Sequence, residues 1–415
     1  MSSSRSSSQL PSLPDSSCGR GAVALLCALV LVLAAPTAAH AAGGGYSPGP
    51  NPTKPGNTKP PRIPFPKPPT VPISSVEARY ETDPVAGEKD AADDMAIWIN
   101  PWDRAQSLVI GTDKAADHLE VYDLTGTRLQ RIPDRNGSVN NVDLRYGFPL
   151  GGQFVDIVVS GGSDVAVYKI DPFTRQLVDI TAREIKAANQ AEGVCLYRSP
   201  FTGSFSVFTQ AYNGNVEQLE LFDNGLGQVD ARSVRGPWDV HPEPVVVEDG
   251  EIEACTVDDV TGDYYVVEQD VGVWRYGAEP TASTLHRTLV LSSYLVNGGA
   301  LVPDIEGIVV IHDDYGSYML ASSQGESAFG VYRLDLLTAP YELLSKFRVS
   351  TSSHTDSCSI TDGIDATSLW LGPEFPHGMF VCQDNTNSDP GTKGNQNFKF
   401  VPLDSIIPGI NPYMA

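Results

Sequence analysis

The sequence predicts an all-β fold, a six-bladed β-propeller, from three observations. Two strand-like motifs recur in phase six times between Asp90 and the C-terminal end. Their period is close to fifty residues with three or four strand-like runs per unit, which is the spacing of propeller blades. Turn formers are abundant, 38 Gly and 32 Pro in 415 residues, as many short antiparallel strands require.

Taken in chain order, the first segment is an address. A polar start ends at Arg20, Gly21 to Ala35 is almost wholly apolar, and Ala39-His40-Ala41 supplies a small-x-small cleavage pattern. Residues 1–41 therefore read as a signal peptide, its apolar run being short for a membrane span. The mature protein is expected to be secreted or extracellular (or periplasmic), with no stable membrane insertion after cleavage. Residues 42–72 are dense in Pro and Gly with little to bury, which makes them a linker of extended, polyproline-like chain. The propeller domain is expected over 73–415.

One repeated element is a short strand: LEVYDL at Leu119, VAVYKI at Val165, VEQLEL at Val216, VGVWRY at Val271, FGVYRL at Phe329 and the looser FKFVPL at Phe398. The other joins an acid or amide to an apolar run: DDMAIWI at Asp93, NNVDLRY at Asn140, AEGVCLY at Ala191, IEACTVD at Ile252, DIEGIVV at Asp304 and TDGIDAT at Thr361. Its markers, Asp94, Asn141, Glu192, Glu253, Glu306 and Asp362, are spaced 47, 51, 61, 53 and 56 residues apart. FVDIVVS, GSFSVFTQ, DYYVVEQ, GSYMLASSQ and HGMFVCQ fall between them and are also strand-like. One amphipathic helix is expected, over Thr181 to Asn189. Cys18 and Cys27 would leave with the signal. Cys195, Cys255, Cys358 and Cys382 remain, an even number that suits two disulfides in an oxidising compartment. Three pairings are open; Cys195 with Cys255 and Cys358 with Cys382 is the one expected.

The function classes narrow with charge. Acids outnumber bases 51 to 28, a net charge of −23, which opposes a nucleic-acid backbone and excludes DNA or RNA as the partner. In a propeller the first strand of each blade lines the channel, so marker acids at the same end of each such strand converge. That set is Asp93, Asp94, Glu192, Glu253, Asp304, Glu306, Asp362 and Asp365, with Asn140, Asn141 and Asp143. Like charges so gathered raise each other's pKa unless a cation joins them, and an all-oxygen donor set suits calcium. Seven histidines without an HxxxH pair, and no CxxC, argue against zinc or iron. Lys114, in GTDKAAD, is the cation placed to meet a phosphate oxygen, whereas Arg145 reads as an ion-pair partner. No GxSxG elbow and no GxxxxGK[ST] loop occurs, so hydrolysis here would be metal-assisted attack by water.

DAADDMAIWINP, NNVDLRYGFPL, VPDIEGIVV, LASSQGES, TDGIDA, LGPEFPHGMFVCQD and NQNFK closely resemble segments of the β-propeller phytases, also called alkaline phytases, in the same order over Tyr80 to Leu403. The resemblance implies a six-bladed propeller that binds several calcium ions and releases phosphate from myo-inositol hexakisphosphate, taken as its calcium complex. It also implies that Asp93, Asp94, Glu253, Asp304, Glu306 and Asp362 are active-site calcium ligands, that Asp356 and Asp384 are further calcium positions, and that Lys114 binds phosphate. Lys114, Glu253, Asp304, Glu306 and Asp362 would carry the catalysis. The departures lie on the substrate side. Ser160-Gly161-Gly162-Ser163 stands where the family has an Asn-Arg-Ser stretch, Glu192-Gly193 where it has Tyr-Gly, Ala211-Tyr212 where it has Gly-Lys, and Gln269 where it has a glutamate. The alternative is a non-catalytic calcium-binding propeller that holds a polyanionic ligand. A monomer is expected.

Overall fold

Each recurring apolar run becomes one strand of a four-stranded antiparallel sheet, and six such sheets surround a channel. The computed structural model describes residues 69–188, 190–241, 251–314, 316–388 and 395–407. The expected leader over 1–41, and the linker as far as residue 68, lie outside the described residues.

The chain opens with β1 (Ile73–Glu77) and β2 (Tyr80–Glu81), then builds blades in order. Blade 1 is β3 (Ala92–Trp98), β4 (Leu108–Asp113), β5 (His118–Asp123) and β6 (Arg128–Pro133). Blade 2 is β7 (Asn141–Leu150), β8 (Gln153–Gly161), β9 (Ala166–Asp171) and β10 (Gln176–Asp179). Blade 3 is β11 (Gly193–Arg198), β12 (Phe205–Gln210), β13 (Asn215–Asp223) and β14 (Val229–Asp239). Blade 4 is β15 (Ile252–Asp258), β16 (Asp263–Glu268), β17 (Gly272–Gly277) and β18 (Thr288–Ser292). Blade 5 is β19 (Ile308–His312), β20 (Ser317–Ser323), β21 (Ala328–Arg333) and β22 (Glu342–Ser350), with β1 added in parallel on its outer edge. Blade 6 is β23 (Ile364–Thr367), β24 (Met379–Asp384) and β25 (Asn397–Pro402). Its fourth strand is β2, so the ring closes by pairing Tyr80 with Phe400 and Glu81 with Lys399.

The acid-led motif is the innermost strand of every blade, or leads directly into it, and the LEVYDL-type motif is the third. Those strands sit between two neighbouring blades and are buried on both faces, as the β5 pattern from Leu119 to Tyr122 shows. Even their polar members are enclosed, Glu120, Glu217, Gln218 and Lys399 among them. The outermost strands are half solvated (β10 buries only Leu177), so they recur more weakly in the sequence. Six apolar layers fill the six joints between blades. Between blades 5 and 6, Phe380 meets Phe329 and Phe347 edge-on at 5.1 and 5.4 Å, all three fully buried. Each such side chain stabilises the fold by roughly 1.5–3 kcal/mol relative to exposure.

The helix expected over Thr181 to Asn189 does not form in the described part of that stretch, 181–188. Its backbone is extended and paired across the joint instead: Val165 N donates to Ile185 O at 3.0 Å and Ala182 N to Val229 O at 2.8 Å. Ile185 is buried in the layer between blades 2 and 3, which outweighs local helical spacing. No helix among the described residues is long and apolar enough to cross a membrane. The disulfides are Cys195–Cys255 and Cys358–Cys382, as expected.

Candidate functional site

The innermost strands run from one mouth of the channel toward the other, and each has an acid or amide within two residues of its start: Asp93, Asn141, Glu192, Glu253, Glu306 and Asp362. Side chains of these strands first close the ring. Asp365 Oδ2 accepts from Ile97 N at 2.7 Å, Asp94 Oδ2 from Val142 N at 3.1 Å, and Asp143 Oδ2 from Leu196 N at 2.7 Å. Each bond joins one blade's inner strand to the next blade's. Two glycines allow strands this close to approach: a Cβ on Gly363 would lie 2.4 Å from Asp94 Oδ1, and one on Gly307 2.7 Å from Asp362 O. This is the physical content of the acid–glycine pairs in the markers.

The channel holds a cavity of about 60 Å³ lined by Asp93, Asp94, Glu253, Glu306 and Asp362 among others. At roughly 10–15 Å³ for each water-sized sphere, it admits a few waters or small ions and no sugar-sized ring. At the opposite end Arg145 crosses from blade 2 to blade 4. It donates to Asp143 at 3.0 and 3.1 Å, to Asp259 at 3.0 Å and to Val257 O at 3.0 Å. It is a structural ion-pair residue.

At the mouth, Lys114 Nζ stands 2.8 Å from Asp93 and 3.0 Å from Asp90. Burial works against its charge, but Asp93, Asp362 and Asp90 together outweigh burial and raise its pKa above the usual lysine range. The pKa values of the acids opposite rise as well, which in a carboxyl favours the neutral form. Burial, then Asp93 and Glu251, push Glu253 up to about 8. Burial and then Glu253 push Glu306 up to about 8. Burial, with Asp93 and Glu306 behind it, holds Asp362 well above the carboxylate range, and burial does the same for Asp94. Two amides pin this set: Gln269 Nε2 donates to Glu306 Oε1 at 2.6 Å and Gln324 Nε2 to Asp362 Oδ1 at 2.7 Å. Tyr212 borders it, its carbonyl accepting from Ile252 N at 3.3 Å, one residue from Glu253. Burial and then Glu253 and Glu192 raise its phenol, so it stays neutral.

The structure thus brings together Asp93, Asp94, Lys114, Glu253, Glu306 and Asp362. Asp304 lies on the loop before β19 beside Glu306, outside the cavity lining. Asp356 and Asp384 are gathered elsewhere, about Lys399, whose ammonium is fully buried between Glu81, Asp356 and Asp384. Gln324 was not anticipated as a site residue. LASSQGES pointed to its segment, but its partner lies 38 residues away.

The mouth residues fit a hard divalent cation by their chemistry, since the donors are carboxylate and amide oxygens, crowded enough to stay partly protonated without a counter-charge. Among the described residues no three His, Cys, Asp or Glu side chains stand as a preformed metal cage.

A sequence model of the family described as Phytase matches residues 70–412. The 3-phytase of Bacillus subtilis (strain 168) is 35% identical over 340 residues, which cover 80% of this chain and 84% of that protein. Among solved structures, regucalcin, a calcium-binding protein of Agrobacterium tumefaciens, aligns at 10% identity with a TM-score of 0.46 over 80% of this chain and 97% of its own. An auxiliary nutrient binding protein from Bacteroides ovatus aligns at 9% identity with a TM-score of 0.45 over 79% and 77%. Likenesses of that size say nothing about this chain's chemistry.

Proposed function

The chain belongs to the phytase family, and from that premise we propose that it is an exported, calcium-dependent phosphomonoester hydrolase that releases phosphate from phytate, taken up as its calcium complex. The observation that carries this reading is the convergence of Asp93, Glu253, Glu306 and Asp362 with Lys114 at one open mouth, above a channel too narrow for the inositol ring. The ring therefore stays outside while one phosphate reaches the acids.

Asp93, Glu253, Asp304, Glu306 and Asp362 would hold calcium there, and Asp94 would contribute from its place at the blade joint. Bound calcium neutralises charge on phosphoryl oxygens and lowers the pKa of water. The chain's own residues do the rest. Lys114, kept charged by Asp93, donates to a phosphoryl oxygen. Gln269 and Gln324 fix the orientation of Glu306 and Asp362, so these oxygens are in place before substrate arrives. Asp356 and Asp384 are proposed as further calcium positions, sharing their site with Lys399. The family's arginine, tyrosine and lysine contacts to phosphate are replaced at Ser160–Ser163, Glu192 and Tyr212. Each lost charged hydrogen bond costs roughly 1.5–3 kcal/mol, so weaker phytate binding than in members that keep them is expected. Residues 1–41 are proposed to direct export.

The test is phosphate release from phytate by the purified mature protein, with calcium and then with a chelator. Release that requires calcium and disappears in Asp304→Ala supports the proposal. No release from phytate or a simple phosphate ester, by folded and calcium-loaded protein, would replace it with the non-catalytic reading, a calcium propeller that binds a polyanion.

A further inference from the structure

The Cys195–Cys255 disulfide is not a loop staple. Both cysteines lie on innermost strands, β11 of blade 3 and β15 of blade 4, with Cα atoms 6.0 Å apart, and both line the channel. Cys255 is two residues below Glu253 on its own strand. Cys195 is three residues below Glu192, on the strand that follows it.

Glu253 needs such a support. The β15–β16 ladder pairs Ile252 with Glu268 and next Cys255 with Val266, with a register irregularity between, so Glu253 and Ala254 lie where the strand has no regular partner. The first in-register residue beneath the acid is the disulfide cysteine itself. Three other joints solve the same problem differently. Asp365 to Ile97 N, Asp94 to Val142 N and Asp143 to Leu196 N clasp the inner strands of blades 6 and 1, 1 and 2, and 2 and 3. Between blades 3 and 4 the comparable bond, Arg198 N to Asp259 Oδ1 at 3.1 Å, lies at the far end of the strands from the mouth. The half nearer the mouth carries the covalent link.

Cys195 is buried in the layer of this joint and Cys255 packs against it, but aromatic side chains make up much of that layer. Phe208 and Tyr264 stack at 4.1 Å across the joint, and Trp238 and Tyr276 close the same layer. Breaking the disulfide would leave these aromatic contacts in place and release the strand segment that carries Glu253.

We infer that the Cys195–Cys255 disulfide is a positioning element of the mouth, setting the place of Glu253 relative to Glu192 and Asp93. The inference rests on the phytase reading for its kinetic consequence, but not for its effect on cation binding. Misplacing one group of a site by about 1 Å can cost about a hundredfold in rate, so its loss is expected to cost tenfold or more.

The test compares wild type with Cys195→Ala/Cys255→Ala, and with Phe148→Leu as a destabilised control in the layer between blades 2 and 3. Melting temperature, calcium affinity by calorimetry, and kcat and KM for phosphate release from phytate are measured on each. The double variant should keep its folded circular-dichroism spectrum, bind calcium about tenfold more weakly and lose at least tenfold in kcat. Phe148→Leu should lower the melting temperature and leave both other quantities within twofold. A double variant whose calcium affinity and kcat stay within twofold of wild type overturns the inference, as does an equal loss in both variants. If wild type releases no phosphate, the phytase reading fails separately and calcium affinity alone decides this one.

Discussion

Arg145 offers the sharpest test of how the channel is built. Substituting it as Arg145→Met keeps the length of the side chain and removes its charge, together with its bonds to Asp143, Asp259 and Val257 O. Removing one partner of a buried ion pair costs about 3–5 kcal/mol, because the other charge is left without compensation. Asp143 and Asp259 keep 23% and 32% of their side-chain surface exposed, which screens the loss and places it nearer about 2–3 kcal/mol. An unfolding entropy of about 2.1 cal/mol/K per residue, over about 340 residues, turns that into a fall of roughly 3–4 °C in melting temperature. Scanning calorimetry on wild type and variant measures it. Arg145→Met/Asp259→Asn should recover part of the loss, since it also removes one orphaned carboxylate. Activity should survive at temperatures where both proteins are folded, because Arg145 lies at the end of the channel away from Lys114. A melting temperature within 1 °C of wild type, or lost activity in a protein of unchanged stability, would refute the structural role.

Three further outcomes are expected. His312 joins blade 5 to blade 4 through Asp258 Oδ1 at 3.0 Å and bonds Ser317 Oγ of its own blade at 2.6 Å, and the bond to Asp258 raises its pKa above 6.5. Its contribution is therefore complete below about pH 6.5 and lost as pH climbs through the higher folded value. Asp258, which burial would raise, is instead lowered by His312, so its share is lost only as pH falls below about 3.8. Between pH 6.5 and 8.5 the melting temperature of wild type should fall more than that of His312→Gln; equal slopes would show that the pair carries no such linkage. In chelator, Glu306→Gln should raise the melting temperature by about 1 °C by removing a buried charge and its repulsion from Glu253, while calcium should stabilise the variant less than wild type. A variant stabilised by calcium as much as wild type would remove Glu306 from the cation site. Lys399→Met leaves Glu81, Asp356 and Asp384 buried without their ammonium, at a cost of about 3–5 kcal/mol. A fall of less than 2 °C in thermal unfolding would mean that water or a bound cation already compensates these acids.

The blade count, the identity of the innermost strands and the gathering of acids at one mouth were all legible in the sequence, whereas the place of the LEVYDL-type motif as third strand was not. Each legible feature is a matter of period and phase, and residues at equivalent places in in-phase repeats must meet around the ring. The pairing of four cysteines also came out as expected. What each polar group touches was not legible. Thr181 to Ile185 has local helical spacing, but strands at Val165 and Val229 claim its backbone. Arg145 finds Asp259 across the channel, 114 residues on, and Lys399 finds Glu81, 318 residues back, because blade 6 borrows its last strand from the start of the domain. Asp356 and Asp384 meet the same ammonium, apart from the acids of the mouth. Hydrophobic patterning is written locally, since burial depends only on which face a residue occupies. Charges and hydrogen bonds act over a few ångströms of space, and only the closed ring decides which residues, tens to hundreds of positions apart, come within that reach.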